Sequence, residues 1–418
     1  MKAIEVEGGR QLRGELTVHS AKNSVLPILA ATILSGDTCV IQRCPRLEDV
    51  DVSGEILRHL GCRVQWQDED LVVDSRGLSC WHIPDNLMRR MRSSVIFLGA
   101  ILARCGAARL SYPGGCELGP RPIDLHLAAL RRLGVRVDES CGVLTCRGQE
   151  LRGAEIVLSL PSVGATENAM LAACGARGTT VITNAAREPE IVDLQRFLRK
   201  MGAEVRGAGT STITVEGGRK LHGCRHRCIG DRIVASTYLC AAAAAGGDIC
   251  LRGVDYRHLS TVITALQQAG CRVSSQDRRI RLVSDGNLRG ICPVRTSPYP
   301  GFPTDAQAVL MAALLRSEGT TMFVENVFQS RYRHVSELVR MGADIRLEGR
   351  VAVVCGVPKL SGAAVRCTDL RGGAALVIAG LQARGTTRVE EIHHIKRGYS
   401  DLTGDLARLG ADIREIEI

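Results

Sequence analysis

Aromatic residues are scarce. The 418-residue chain holds five Phe, six Tyr and two Trp, too few for a surface that reads nucleic acid by stacking bases on rings. Long apolar runs are missing too. The longest, residues 94–103, falls well short of the roughly 18 residues that a bilayer span needs. No charged-then-apolar leader opens the chain, since residues 1–6 alternate like a strand, and a cytoplasmic protein is expected. The 17 Cys form no CxxC pair and are odd in number, which fits reduced thiols rather than a disulfide framework. Lysine is nearly absent, with six Lys against 48 Arg.

What is present is an ordinary globular composition, 45% apolar and 23% charged, enough for one or two substantial cores. The formal net charge is +10. Most of the Arg can be surface positions where Arg replaces Lys. The alternative is an anionic ligand, because guanidinium grips phosphate and carboxylate through two parallel hydrogen bonds.

The strongest signal is repetition. An apolar-Gly-small-x-Val/Ile motif centres on Gly61, Gly134, Gly202, Gly270, Gly342 and Gly410, in steps of 73, 68, 68, 72 and 68. About two dozen residues before each stands a second Gly leading a β-rich run, clearest at Gly178, Gly319 and Gly385. One unit reads as a helix over 166–176, a strand over 179–184, a helix over 191–201 and strands over 203–206 and 212–215. Gly178 and Gly202 close the two helices. One more strand leads into the next unit. A period near 70 residues is too long for stacked helix pairs, so six compact α/β units in two domains of three are expected.

The first helix of each unit opens on polar residues: Lys22 and Asn23, Arg92, Ser162 to Thr166, Asp231 and Arg232, Thr304 and Asp305, Asp369 and Arg371. Thr166, Thr304, Asp231 and Asp369 can be plain N-caps. Lys and Arg oppose the helix dipole there, and their recurrence favours a bound anion. The loop PGGCELGPRP over 113–122 places Cys116 among Gly and Pro, with Arg121 five residues on. A lone Cys is commonly a small buried hydrophobe. In an exposed, electropositive loop its thiol pKa would drop and it could donate a proton or attack an electrophile.

These strings together resemble a known family. They are AKN at 21–23, the Cys116 loop, AAREPEIVD at 185–193, FPTD at 302–305, Arg331 with His334, TDLR at 368–371 and RGY at 397–399. The chain is similar over its whole length to the UDP-N-acetylglucosamine 1-carboxyvinyltransferase family, which opens peptidoglycan synthesis. The resemblance implies two inside-out α/β barrel domains of three repeats each, with the site in the cleft between them. It places one domain at residues 22–229 and a discontinuous second at 1–21 and 230–418. It implies transfer of the enolpyruvyl group of phosphoenolpyruvate to the 3′-hydroxyl of UDP-N-acetylglucosamine, with release of phosphate.

By the same resemblance Cys116 is the acid that protonates the methylene, Asp305 takes the hydroxyl proton, and Lys22 and Arg397 act in catalysis. Lys22, Arg121, Arg331, Arg371 and Arg397 would gather the anionic groups. The nucleotide sugar would meet Asn23, Arg92, the run Arg121, Pro122, Ile123, Asp124 and Leu125, the run Ser162, Val163 and Gly164, then Asp305, Val327 and Asp369. No cofactor, metal, nucleic acid or membrane span is implied, and the oligomeric state stays open.

Glu48, Gln329 and Lys396 depart from the residues usual in that family. His222, Cys224, His226 and Cys228 alternate on one strand face, which suits either a zinc site or a half-buried strand. Two rival functions remain. A shikimate 3-phosphate enolpyruvyl transferase would lack the loop cysteine and follow its Lys with Ser. A basic RNA-end-binding or cyclase-like repeat protein would show salt-sensitive RNA retention.

Overall fold

The computed structural model describes residues 2–112 and 123–418. Its chain divides into two compact units, one of residues 20–112 and 123–229, the other of residues 2–19 and 230–418. Each encloses its own apolar core. The fold is a pair of inside-out α/β barrels, each carrying three four-stranded sheets.

All six sheets share one plan. In the third repeat, Glu155–Val157 runs parallel to Thr179–Thr183, which pairs antiparallel with Thr212–Glu216, which in turn holds Glu204–Arg206. Two sheets borrow their first strand from elsewhere in the chain. Arg225–Arg227 serves the sheet of Thr38–Gln42, and Leu12–Thr17 serves that of Gly247–Arg252. The last sheet is completed by the chain's opening strand, Lys2–Glu7, laid between Thr386–Glu390 and Asp412–Glu417. That exchange makes the second unit discontinuous.

The expected helix over 166–176 is observed as Val163–Gly175, because Ser162 rather than Thr166 supplies the cap by accepting from the Ala165 N–H. The expected helix over 191–201 is Pro189–Lys200, starting two residues earlier on a proline at its first turn, where no N–H is needed. The six motif glycines all have positive φ, from 94° to 109°, which a side chain tolerates poorly. The sequence period is therefore a backbone requirement repeated six times.

The first helix of each repeat lies inside. Arg232–Ala245 and Leu370–Leu381 are apolar nearly all round and almost wholly buried, as a central helix must be. In the first unit Phe97–Cys105 approaches Val163–Gly175 so closely that a Cβ on Gly99 would meet the Asn168 carbonyl at 2.3 Å. The Gly99 N–H instead donates to the Asn168 side-chain oxygen at 2.6 Å.

Candidate active site

In the unit of residues 2–19 and 230–418, helix Thr304–Ala313 has no side-chain cap. Thr304 instead donates to Glu325 at 2.9 Å, and Glu325 accepts the N–H groups of Val327 and Phe328 at 2.8 and 3.0 Å. Asp305 stands in the first turn of this helix. It receives Arg331 on one carboxylate oxygen at 2.7 Å and Arg371 on the other at 3.2 Å. Both guanidiniums are buried, whereas the Asp305 side chain keeps 28% of its exposure. The result is an anion held between two cations with one side still open.

Arg371 is aimed by its helix. Asp369 caps Leu370–Leu381 by accepting from the N–H groups of Arg371 and Gly372. The Arg371 guanidinium also donates to the Tyr399 hydroxyl at 3.3 Å, which pairs with Thr237 at 2.8 Å. Burial works against the charge on Arg371, but Asp305, Tyr399 and Asp231 outweigh it and the pKa rises. Arg397, two residues before Tyr399, ends the short helix His393–Lys396 and is half-buried. Val327 is exposed, three residues past strand Thr320–Val324. His334, three residues after Arg331, is fully buried. Burial, opposed by Asp369 and helped by Arg331, brings its pKa down to about 4.

In the unit of residues 20–112 and 123–229, Lys22 is the first residue of helix Lys22–Ala31, which has no acid in its first turn. Its ammonium meets Asp49 at 2.8 Å, and both side chains are buried. The cation at a helix start thus has a protein carboxylate opposite it, as Arg371 does. Two residues on, Ser24 donates to Asp193, which also accepts the Ile229 N–H at 3.1 Å and faces His226 Nε2 at 3.1 Å. This network fixes the start of the Lys22 helix to the point where the chain leaves the unit. Asn23 is half-buried beside it.

Arg92 opens the turn Arg92–Ile96 and is half-buried. Ile123 is buried, while Asp124 is exposed as the first residue of helix Asp124–Arg132, followed by half-buried Leu125. Ser162, Val163 and Gly164 form a half-buried helix start, and a Cβ on Gly164 would press His126 at 2.9 Å. Cys116, Arg121 and Pro122 lie outside the described residues.

His126 Nδ1 pairs with the Asn168 amide at 2.7 Å. Burial, with Arg92 second, lowers its pKa to about 4. Between pH 6.5 and 4 the unfolded chain therefore takes up a proton that the folded His126 refuses. Stability is full above pH 6.5 and falls as pH drops through this window, by up to about 3 kcal/mol for the group. Both tryptophans, Trp66 and Trp81, sit in this unit, so their fluorescence reports its unfolding. The urea midpoint should fall between pH 7.5 and 4.5, and His126→Gln should flatten that fall. An equal pH slope in the variant would remove His126 as the cause.

Residues 6–406 match the family described as EPSP synthase (3-phosphoshikimate 1-carboxyvinyltransferase). The chain is 52% identical over 416 residues to UDP-N-acetylglucosamine 1-carboxyvinyltransferase 2 of Caldanaerobacter subterraneus subsp. tengcongensis, covering all of both chains. The chain belongs to the UDP-N-acetylglucosamine 1-carboxyvinyltransferase family. A second member, from Carboxydothermus hydrogenoformans, is 47% identical and matched over 100% of this chain and 99% of its own. Among solved structures, the enolpyruvyl transferase NikO of Streptomyces tendae superposes with a TM-score of 0.89 at 28% identity, over 99% of this chain and 98% of that one. EPSP synthase of Acinetobacter baumannii shares the fold at a TM-score of 0.77, 19% identity and complete coverage of both chains.

Two departures from the carboxyvinyltransferase pattern have plain surroundings. Glu48 opens helix Glu48–His59, where a negative charge suits the dipole. Lys396 pairs on the surface with Glu415 at 2.8 Å. Nothing in the structure explains Gln329. Of the four alternating residues near 225, His226 and Cys228 come together with Asp193 in a fully buried group, while His222 and Cys224 turn to other partners. Cys224 hydrogen-bonds the Cys39 thiol, His226 faces Asp193, and exposed His222 meets the Gly223 carbonyl. Sequence reasoning gave no role to Asp49, Asp193 and Glu325: the partners of Asp49 and Asp193 lie 27 to 169 residues away, and Glu325 joins Thr304, 21 residues back, to the N–H groups just after itself. The only sequence signal for Asp49 is an acid in the first turn of an amphipathic helix.

Proposed function

We propose that this chain transfers the enolpyruvyl group of phosphoenolpyruvate to the 3′-hydroxyl of UDP-N-acetylglucosamine and releases phosphate, the opening step of peptidoglycan synthesis. The observation that carries the reading is full-length 52% identity to a protein named for that activity. The Asp305–Arg331–Arg371 cluster supplies the matching chemistry.

The reaction is an addition followed by an elimination. The acceptor hydroxyl bonds to C2 of phosphoenolpyruvate and gives its proton to Asp305, while Cys116 protonates C3 to a methyl group. C3 then loses a proton as the C–O bond to phosphate breaks. Two guanidiniums hold the Asp305 carboxylate. A phosphate or carboxylate arriving at Arg331 and Arg371 competes with it for their N–H groups. The same arginines neutralise charge on the departing phosphate. By likeness to the family, Lys22, Arg121 and Arg397 also serve the anionic groups of the substrates. Lys22 is poised by Asp49, and the bound substrate competes with that carboxylate as well.

Asn23, Arg92, Pro122 to Leu125, Ser162 to Gly164, Val327 and Asp369 serve the nucleotide sugar. Residues 22–229 form one functional domain, with 1–21 and 230–418 the other. Among the described residues no helix is long and apolar enough to cross a membrane, and the sixteen described cysteines are free thiols. Free thiols suit a reducing compartment, and a cytoplasmic site of action is proposed on that ground. In heavy water the product's vinyl methylene should carry deuterium, because the intermediate's methyl group mixes solvent and substrate hydrogens. A product free of deuterium would rule out addition–elimination.

A further inference from the structure

His59, Cys80 and His82 bring two imidazoles and a thiol to one point on the surface of the first unit, and the reaction uses none of them. The Cys80 sulfur lies 3.8 Å from His59 Nε2 and 3.0 Å from His82 Nδ1. All three ligand atoms fall within 4.8 Å of one another. Both histidines are exposed and Cys80 is half-buried, so an ion can reach them from solvent. The two rings meet edge to face with centroids 4.9 Å apart. A tetrahedral zinc ion sets its sulfur and nitrogen ligands about 3.6 Å apart, given bonds of about 2.3 and 2.0 Å. The two observed separations bracket that spacing.

The backbone has already built this arrangement. His59 is the last residue of helix Glu48–His59. The carbonyl of Leu60, next in the chain, accepts the N–H groups of Ser79 and Cys80 at 3.0 and 3.2 Å. Gly61, at φ 101°, lets this turn press against Gly77 and Ser79, where a Cβ would lie 2.5 Å from the Gly77 carbonyl oxygen. Cys80 and His82 are two apart at the entry to strand His82–Ile83, so they point to the same side. The negative end of the helix dipole at His59 also favours a cation.

We propose that His59, Cys80 and His82 bind one zinc-class divalent ion, with water in the fourth position. A thiolate and two imidazoles suit zinc or cobalt and disfavour magnesium or calcium. Binding replaces the thiol proton with the metal and releases that proton to solvent, so affinity weakens in acid. The ion would tie the second helix of the first repeat to the strand that leads into the second.

The test titrates the full reduced chain, cleared with chelator, with Co(II) and follows thiolate-to-cobalt charge-transfer absorption. One ion per chain should bind and be displaced by Zn(II). Cys80→Ser should abolish the band. His59→Gln and His82→Gln, both at exposed positions and so safe for folding, should each weaken binding at least about 10-fold, the least expected of a direct ligand. Cys116→Ser and Cys228→Ser should bind as before, and phosphate release by Cys80→Ser should be unchanged. No thiolate band in the parent chain, or a band that survives Cys80→Ser, would overturn the assignment.

Discussion

Asp305→Asn is expected to lower turnover about 10²-fold or more, because an amide cannot take up the acceptor's proton. The same change also strains the fold. Arg331 and Arg371 are almost fully buried and both donate to Asp305. Helix Thr304–Ala313 does not depend on Asp305 for a cap, so the cost is electrostatic rather than a lost cap. Removing one partner of a fully buried pair costs about 3–5 kcal/mol. The partial exposure of Asp305 reduces this to about 2 kcal/mol. Inorganic phosphate, which can occupy the two guanidiniums, should restore the lost melting temperature but not the turnover. Recovery of both by phosphate would make Asp305 a structural counter-charge alone. Unchanged turnover in the variant would remove it as the base.

Cys116→Ala is expected to lose about 10²-fold or more in turnover, while Cys116→Asp keeps a measurable part, since a carboxylic acid can still deliver a proton. The surroundings of the other thiols sharpen a labelling test. Nine of the sixteen described cysteines are buried, and burial pushes Cys44 and Cys62 up to about 12 and Cys271 up to about 11. Cys39 is the exception. The Cys224 thiol draws it down to about 7, but it has no exposed surface. Among the described cysteines only Cys141 and Cys292 are exposed, and these are the competitors that matter. Brief iodoacetamide treatment of the native chain should label Cys116 before either, with activity lost in step. Faster labelling of Cys141 or Cys292 would contradict the acid assignment.

The repeat was legible because its mark is a backbone demand. A glycine with positive φ after each second helix cannot drift to another residue type without strain, so the period survives in one sequence. Helix starts were less legible. Ser162 and Thr166 are both competent caps, and only the structure shows Ser162 doing it while Thr166 bonds back to the Ser162 carbonyl. The reading of basic helix starts as anion sites was incomplete. Lys22 and Arg371 already face carboxylates, Asp49 and Asp305, one of which lies 66 residues away in the chain. The strand Lys2–Glu7 shows the same limit. Its alternation identified it as a strand, but its place in the last sheet depends on the far end of the chain. The His59–Cys80–His82 group lies across a repeat boundary, where a reading repeat by repeat does not look.

The most direct measurement of the central claim is phosphate release from phosphoenolpyruvate with each of two acceptors, followed by mass analysis of the product. With UDP-N-acetylglucosamine, one phosphate should appear per enolpyruvyl ether formed, and with shikimate 3-phosphate the rate should stay at the acceptor-free background. Equal or faster release with shikimate 3-phosphate, or no release with the nucleotide sugar, would contradict the account.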